Sequence, residues 1–300
     1  MKESDERTAA IFGGNGYMGQ HLLGHLQKHG VKCDIYDIQD SPVGIPRKYE
    51  KVDVSNPNYI DGVDIAQYDV VYFFSGLSGP ERSFEKAELY YRVNEFGLLA
   101  LCRGISRLTG AKPTIIFPSS RLVYRGGCRV SEDSMVEARS VYACNKIACE
   151  NILSAFNHRY GIPYVALRIC VPYGNLLGTA YSYGTVGFFM KCIKAKRPIT
   201  LYGDGANRKT YTFISDLCTI AERVAFMGIA SGVYNVGGHD YSLREIAEIL
   251  VSRFGGSIVF VPWPEEALRV EMGDISLDST KLDQAIKFGS YKKFEDVFEF

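Results

Sequence analysis

Tyr142 and Lys146 stand four residues apart in Tyr-Ala-Cys-Asn-Lys, a spacing that puts a phenol and an ammonium on one face of a helix. A cation beside a phenol favours the phenolate and draws its pKa from about 10 toward the range of a general base. Ser119 and Ser120 follow the short apolar run Thr114–Phe117, and a hydroxyl there could hold a reacting oxygen. Near the start, Gly13, Gly16 and Gly19 punctuate Gly-Gly-Asn-Gly-Tyr-Met-Gly between an apolar run and a helical pattern beginning near Gln20. Such a turn lets backbone approach a pyrophosphate, whose charge is met by the free amides at the helix start, and Tyr17 and Met18 of the turn are candidate cofactor contacts as well. Asp37 comes about 20 residues later, where a carboxylate accepts from the adenosine ribose and disfavours a 2′-phosphate. That favours NAD over NADP, although Lys32 and Arg47 lie close enough in sequence to keep NADP open.

These groups need a scaffold that brings strand ends together. Ala9–Phe12, Cys33–Tyr36, Val70–Phe74, Thr114–Phe117 and Tyr164–Ile169 read as buried strands with helical patterns between several of them. That rhythm predicts an α/β fold, a Rossmann-type doubly wound parallel sheet with ligands at the carboxyl ends of its strands. The rhythm breaks after Pro172 into a Gly- and Tyr-rich stretch, 173–187, then a helical pattern to Ala195, a loop at Tyr202–Lys209 and an amphipathic helix over Ser242–Phe254. The expected division is a dinucleotide-binding domain over 1–172, rejoined by a segment at about 210–240, and a smaller, mainly substrate-binding domain over 173–300.

The ordered set of motifs resembles the extended short-chain dehydrogenase/reductases, the NAD-dependent epimerase/dehydratase family. It comprises the Gly-rich turn at 13–19, Phe-Ser-Gly-Leu at 74–77, Ser-Ser-Arg-Leu-Val-Tyr at 119–124 and Tyr-Ala-Cys-Asn-Lys at 142–146. Leu-Arg-Ile-Cys-Val-Pro-Tyr-Gly at 167–174, Tyr-Gly-Asp-Gly at 202–205 and Tyr-Asn-Val-Gly-Gly at 234–238 follow in order. The resemblance implies that Tyr142 is the base, that Lys146 lowers its pKa and binds the nicotinamide ribose, and that Ser120 hydrogen-bonds the substrate hydroxyl. It also implies that Asp53 and Val54 flank adenine, that the loop from Gly76 borders the pyrophosphate, and that Asn94 lies near the cofactor. A homodimer formed through the Tyr142 helix and its neighbour is implied as well.

Departures from the family pattern narrow the chemistry. Val171 stands where an asparagine often touches the substrate diphosphate, and Lys209, preceded by Arg208, replaces an arginine; Arg269 is a further phosphate ligand to consider. Family members that eliminate water usually carry Asp-Glu directly after the catalytic hydroxyl, and this chain has Arg121-Leu122. The expectation is therefore an NAD-dependent nucleotide-sugar epimerase working by transient oxidation of a sugar hydroxyl. The alternatives are an NAD(P)-dependent reductase of a 4-keto sugar nucleotide or another sugar-nucleotide oxidoreductase, and a non-catalytic NAD(H) sensor.

Bulk properties bound the remainder. With 34 basic and 34 acidic side chains, no broad positive field exists to hold nucleic acid. No apolar run approaches a membrane span, and the polar start Met1–Thr8 lacks an apolar signal region, so no membrane partner and a cytoplasmic location are expected. The eight cysteines are scattered and lack the close pairs of zinc or redox sites. His21, His25 and His29 recur every four residues on the first helix, opposite Leu22, Leu23 and Leu26. They read as an exposed polar face, and no metal is expected.

Overall fold

A computed structural model describes residues 6–178 and 183–297. Positions 179–182 of the Gly- and Tyr-rich stretch and the first five residues of the polar start lie outside the described residues. In chain order the strands are Thr8–Phe12 (β1), Lys32–Asp37 (β2), Lys48–Lys51 (β3), Val70–Phe73 (β4), Thr114–Ser120 (β5), Gly127–Val130 (β6) and Tyr164–Ile169 (β7). Then come Val171–Tyr173 (β8), Ile199–Tyr202 (β9), Arg208–Phe213 (β10), Gly232–Asn235 (β11), His239–Ser242 (β12), Ile258–Val261 (β13) and Ile275–Leu277 (β14).

Seven strands form one sheet in the order β11-β7-β5-β4-β1-β2-β3. The pairs β1–β2, β1–β4, β4–β5 and β2–β3 are parallel. Ala9 to Phe12 and Val71 to Phe73 are wholly buried, as strands covered on both faces must be. The order reverses beside β1, where the chain leaves to opposite sides, and the Gly-rich turn sits at this switch point. The edge strand β3, Lys-Tyr-Glu-Lys, has no fully buried residue, which is why its charged pattern gave no strand signal.

The chain divides into two compact units, one made of Met1–Val123, Ala138–Arg168 and Cys218–Tyr234, the other of Tyr124–Glu137, Ile169–Leu217 and Asn235–Phe300. The first unit holds the large sheet and the 20-residue helix Val141–Tyr160. That helix starts at Ser140, whose hydroxyl accepts from the Ala143 amide at 3.1 Å, and stops at Gly161 in a left-handed conformation (φ 65°).

The second unit contains a sheet in the order β12-β10-β14-β6 with β8 also on β10, and a separate β9–β13 pair. Its helix Leu243–Phe254 opens with a capping box of Ser242 and Glu245. Arg208 and Lys209, expected in a loop, begin β10 and pair with Ser242 and Tyr241; the Gly-rich turn before them hid a strand whose start is polar. Among the described residues no helix is long and apolar enough to cross a membrane.

Candidate active site

The first helix runs over Tyr17–Lys28, three residues earlier than its apolar pattern indicates, with Gly16 as N-cap and no acidic side chain in its first turn. Its leading amides, at Tyr17, Met18 and Gly19, thus have no intrahelical acceptor. Gly13 has φ 80°, and a Cβ there would lie 2.5 Å from the Ser75 amide nitrogen, so β1 and the loop after β4 touch backbone to backbone. Gly19 likewise abuts the Gly13 carbonyl. Gly16 is exposed, and a Cβ there would meet only the Gly13 oxygen, at 3.2 Å. Packing explains Gly13 and Gly19; Gly16 leaves the helix N-terminus open to a close-lying pyrophosphate.

Asp37 ends β2 and is buried. Its Oδ2 accepts from the Asn15 amide at 2.9 Å and its Oδ1 from the Gln39 amide at 3.2 Å. Each oxygen keeps a lone pair for a ribose hydroxyl. The two cations that kept NADP open are engaged elsewhere: Arg47 grips Asp34 through two bonds of 2.7 and 2.5 Å, and Lys32 pairs with Glu6. Asn15, which the sequence reading passed over, is buried and ties the turn to the following loop. Its Nδ2 donates to the Ser41 carbonyl at 2.9 Å, and its Oδ1 accepts from the Val43 amide at 2.8 Å. An amide side chain inside a glycine turn was the available signal.

Asp53 is exposed, and its Oδ1 accepts from the Ser55 amide at 2.9 Å, whereas Val54 is part of the core cluster. Asn94 is buried in a π-helical stretch, Tyr91–Phe96. Its Oδ1 accepts from the Leu77 amide at 2.7 Å and its Nδ2 donates to the Leu77 carbonyl at 3.1 Å. A Cβ on exposed Gly76 would lie 3.3 Å from that Oδ1. Asn94 therefore pins the loop after β4 at the carboxyl edge, and Gly76 is left bare.

Strand β5 continues through both serines, but they differ in use. The Ser119 hydroxyl donates to Glu150 at 2.5 Å, and Glu150 is held by Arg168 through bonds of 2.9 and 2.7 Å, all of it buried. Ser120 Oγ accepts from the Leu122 amide at 3.2 Å, and the Ser120 side chain draws the Tyr142 phenol's pKa downward. Ser120, Tyr142 and Lys146 are thus brought together. Glu150 and Arg168 lie on different elements, and no local spacing announces their pairing.

Burial pushes the Tyr142 phenol up to about 12, while the Ser120 side chain and the Arg121 charge pull it the other way. Lys146 Nζ donates to the Pro118 carbonyl at 2.5 Å and stands 5.5 Å from the Tyr142 ring centroid and 4.5 Å from that of Phe117. Burial drives Lys146 down to about 8, against weaker support from Cys149 and Glu150. The Arg121 charge favours the Tyr142 phenolate, and the Lys146 ammonium, which donates to a backbone carbonyl, stands near the same ring.

The expected phosphate ligands belong to the second unit. Arg208 pairs with Glu245 at 3.0 Å and donates to the Asp240 carbonyl at 2.6 Å; Arg269 pairs with Glu265 at 2.8 Å one helical turn away. Lys209 is half-buried on β10.

The sequence profile of the NAD dependent epimerase/dehydratase family matches residues 9–237. A dTDP-glucose 4,6-dehydratase of Streptomyces niveus is 26% identical over 95% of this chain and 89% of its own length. Among solved structures, a UDP-glucose 4-epimerase of Thermus thermophilus in complex with NAD superposes with a TM-score of 0.83 at 23% identity, over 96% of both chains. Epimerase Mth375 of Methanothermobacter thermautotrophicus gives a TM-score of 0.86 at 19% identity, over 97% of this chain and 90% of that one.

Proposed function

The chain belongs to the NAD dependent epimerase/dehydratase family, an NAD-using enzyme family, and we propose that within it this protein is a nucleotide-sugar epimerase. The observation that carries the proposal is the residue after the Ser120 hydroxyl. Arg121 and Leu122 occupy the short turn where a water-eliminating relative would present carboxylates. Two acids at the Tyr142 helix are committed, Glu95 to Asn145 at 2.5 Å and Glu150, on the helix itself, to Ser119 and Arg168. Elimination of water needs an acid and a base beside the leaving hydroxyl, and the turn after Ser120 offers a cation.

The dinucleotide fits what the first unit presents: a helix N-terminus with no acidic side chain in its first turn, bare Gly16 before it, and the Asp37 carboxylate at the next strand end. NAD supplies reversible hydride acceptance and, in its oxidised form, a positive charge that favours the Tyr142 phenolate. Ser120 holds the sugar oxygen, and Tyr142 Oη takes its proton and later returns it. Lys146 is held by the Pro118 carbonyl of β5 and offers its remaining N–H groups to a ribose.

Incubation with UDP-, GDP-, CDP- and dTDP-sugars and catalytic NAD, followed by proton NMR and nicotinamide absorbance together, tests the reading. A new sugar isomer without net cofactor reduction is expected. Consumption of NADH with a 4-keto sugar would make the protein a reductase instead, and loss of a water from the sugar would refute the argument from Arg121. Tyr142→Phe should lower turnover by about 10²–10⁴-fold with NAD binding retained; unchanged turnover would remove Tyr142 from the chemistry. The proposal includes a homodimer, supported by Leu89, Tyr91 and Phe96, exposed apolar side chains in the segment beside the Tyr142 helix. A monomer mass in light scattering would exclude it.

A further inference from the structure

The three histidines of the first helix do not form the exposed polar face their spacing suggests. His21 is buried, with Nδ1 2.7 Å from the Tyr17 carbonyl. His25 is half-buried and His29 exposed, and both imidazoles turn to one carboxylate far along the chain. His25 Nε2 is 2.8 Å and His29 Nδ1 2.6 Å from the same oxygen of Glu222, Oε2. Glu222 lies on the helix Ile214–Phe226, and its own side chain is largely buried. The rings of His25 and His29 stand edge to face with centroids 4.4 Å apart.

We propose that His25, His29 and Glu222 form a binding site for a divalent transition-metal ion of the zinc class. One ligand atom from each residue lies within 4.8 Å of the others, and bonds of about 2.0–2.2 Å to imidazole and carboxylate are reached by small side-chain rotations. Two imidazoles one helical turn apart with a carboxylate suit zinc, nickel or copper and do not suit calcium or magnesium. Three protein ligands leave a fourth position for water.

The His25 and His29 nitrogens that face Glu222 each donate to its Oε2 in the metal-free site, and an ion would take the place of those hydrogens. Arg7 faces the other carboxylate oxygen at 3.6 Å, and Lys28 is a further nearby cation. His25 stands nine residues beyond Gly16 on the helix, about 14 Å along its axis. The ion would therefore clip the far end of the first helix to the helix bearing Glu222, away from the cofactor turn and independently of the sugar chemistry.

The test uses full-length protein freed of any polyhistidine tag and stripped of metal. Titration with zinc chloride in competition with a chromophoric chelator should show one equivalent bound at micromolar zinc, weakened by an order of magnitude or more in His29→Ala and in Glu222→Gln. His29 is exposed, so its replacement should leave the fold intact, as a circular dichroism melt of the metal-free variant would show. Cobalt substitution should give visible ligand-field bands without thiolate charge transfer, which separates this site from the exposed thiols Cys128 and Cys144. Absence of binding at micromolar zinc, binding unchanged in His29→Ala, or a thiolate band overturns the proposal.

Discussion

Lys146 is buried, and replacing it with Met should change the pH dependence of stability in a calculable way. Its pKa lies at about 8 in the folded chain against an ordinary 10.5. Below pH 8 the folded lysine is charged and carries the full burial cost, roughly 3 kcal/mol for that difference. Between the two pKa values the folded form sheds its proton while the unfolded form keeps it, so wild-type stability rises with pH; above 10.5 the gain is complete. Subtracting the Lys146→Met variant cancels the titrating groups that do not interact with Lys146. The subtracted stability should rise by about 2 kcal/mol between pH 7 and 9.5. The lost bond to the Pro118 carbonyl adds an offset of about 1–2 kcal/mol that is nearly independent of pH, because a neutral amine still donates. Urea denaturation of both proteins across this range measures the difference. A flat difference would show that Lys146 is not desolvated as described, and a falling one would reverse the argument.

Two further substitutions separate packing from ligand contact. Gly13→Ala requires a side chain at φ 80° and 2.5 Å from the Ser75 nitrogen, so it should cost at least about 2 kcal/mol in denaturant unfolding. Gly16→Ala should cost under about 1 kcal/mol yet weaken NAD binding in a fluorescence titration; unchanged binding would remove Gly16 from the pyrophosphate site. Glu150→Ala leaves the Arg168 guanidinium buried without its carboxylate and should cost about 3–5 kcal/mol. A melting temperature close to wild type would show that the Ser119–Glu150–Arg168 network is dispensable.

Local order along the chain was enough to identify which chemistry each segment offers. The four-residue step from Tyr142 to Lys146 requires no knowledge of the fold, only helical geometry. The glycine turn after an apolar run, the acid at the end of the next strand, and the buried runs at β1, β4 and β7 are likewise properties of neighbouring residues, because period and backbone conformation are set locally. The tertiary structure alone decided which partners these groups take and how far they are desolvated. Lys146 reaches the Pro118 carbonyl 28 residues away, and Glu150 grips Arg168 on another element. The His25 and His29 rings meet a carboxylate nearly 200 residues on. Strand β3 exists only because β2 offers it an edge. The cause is common to all four: a side chain's periodicity encodes the direction in which it points, whereas its hydrogen bonds and its pKa depend on what the rest of the chain packs in front of it.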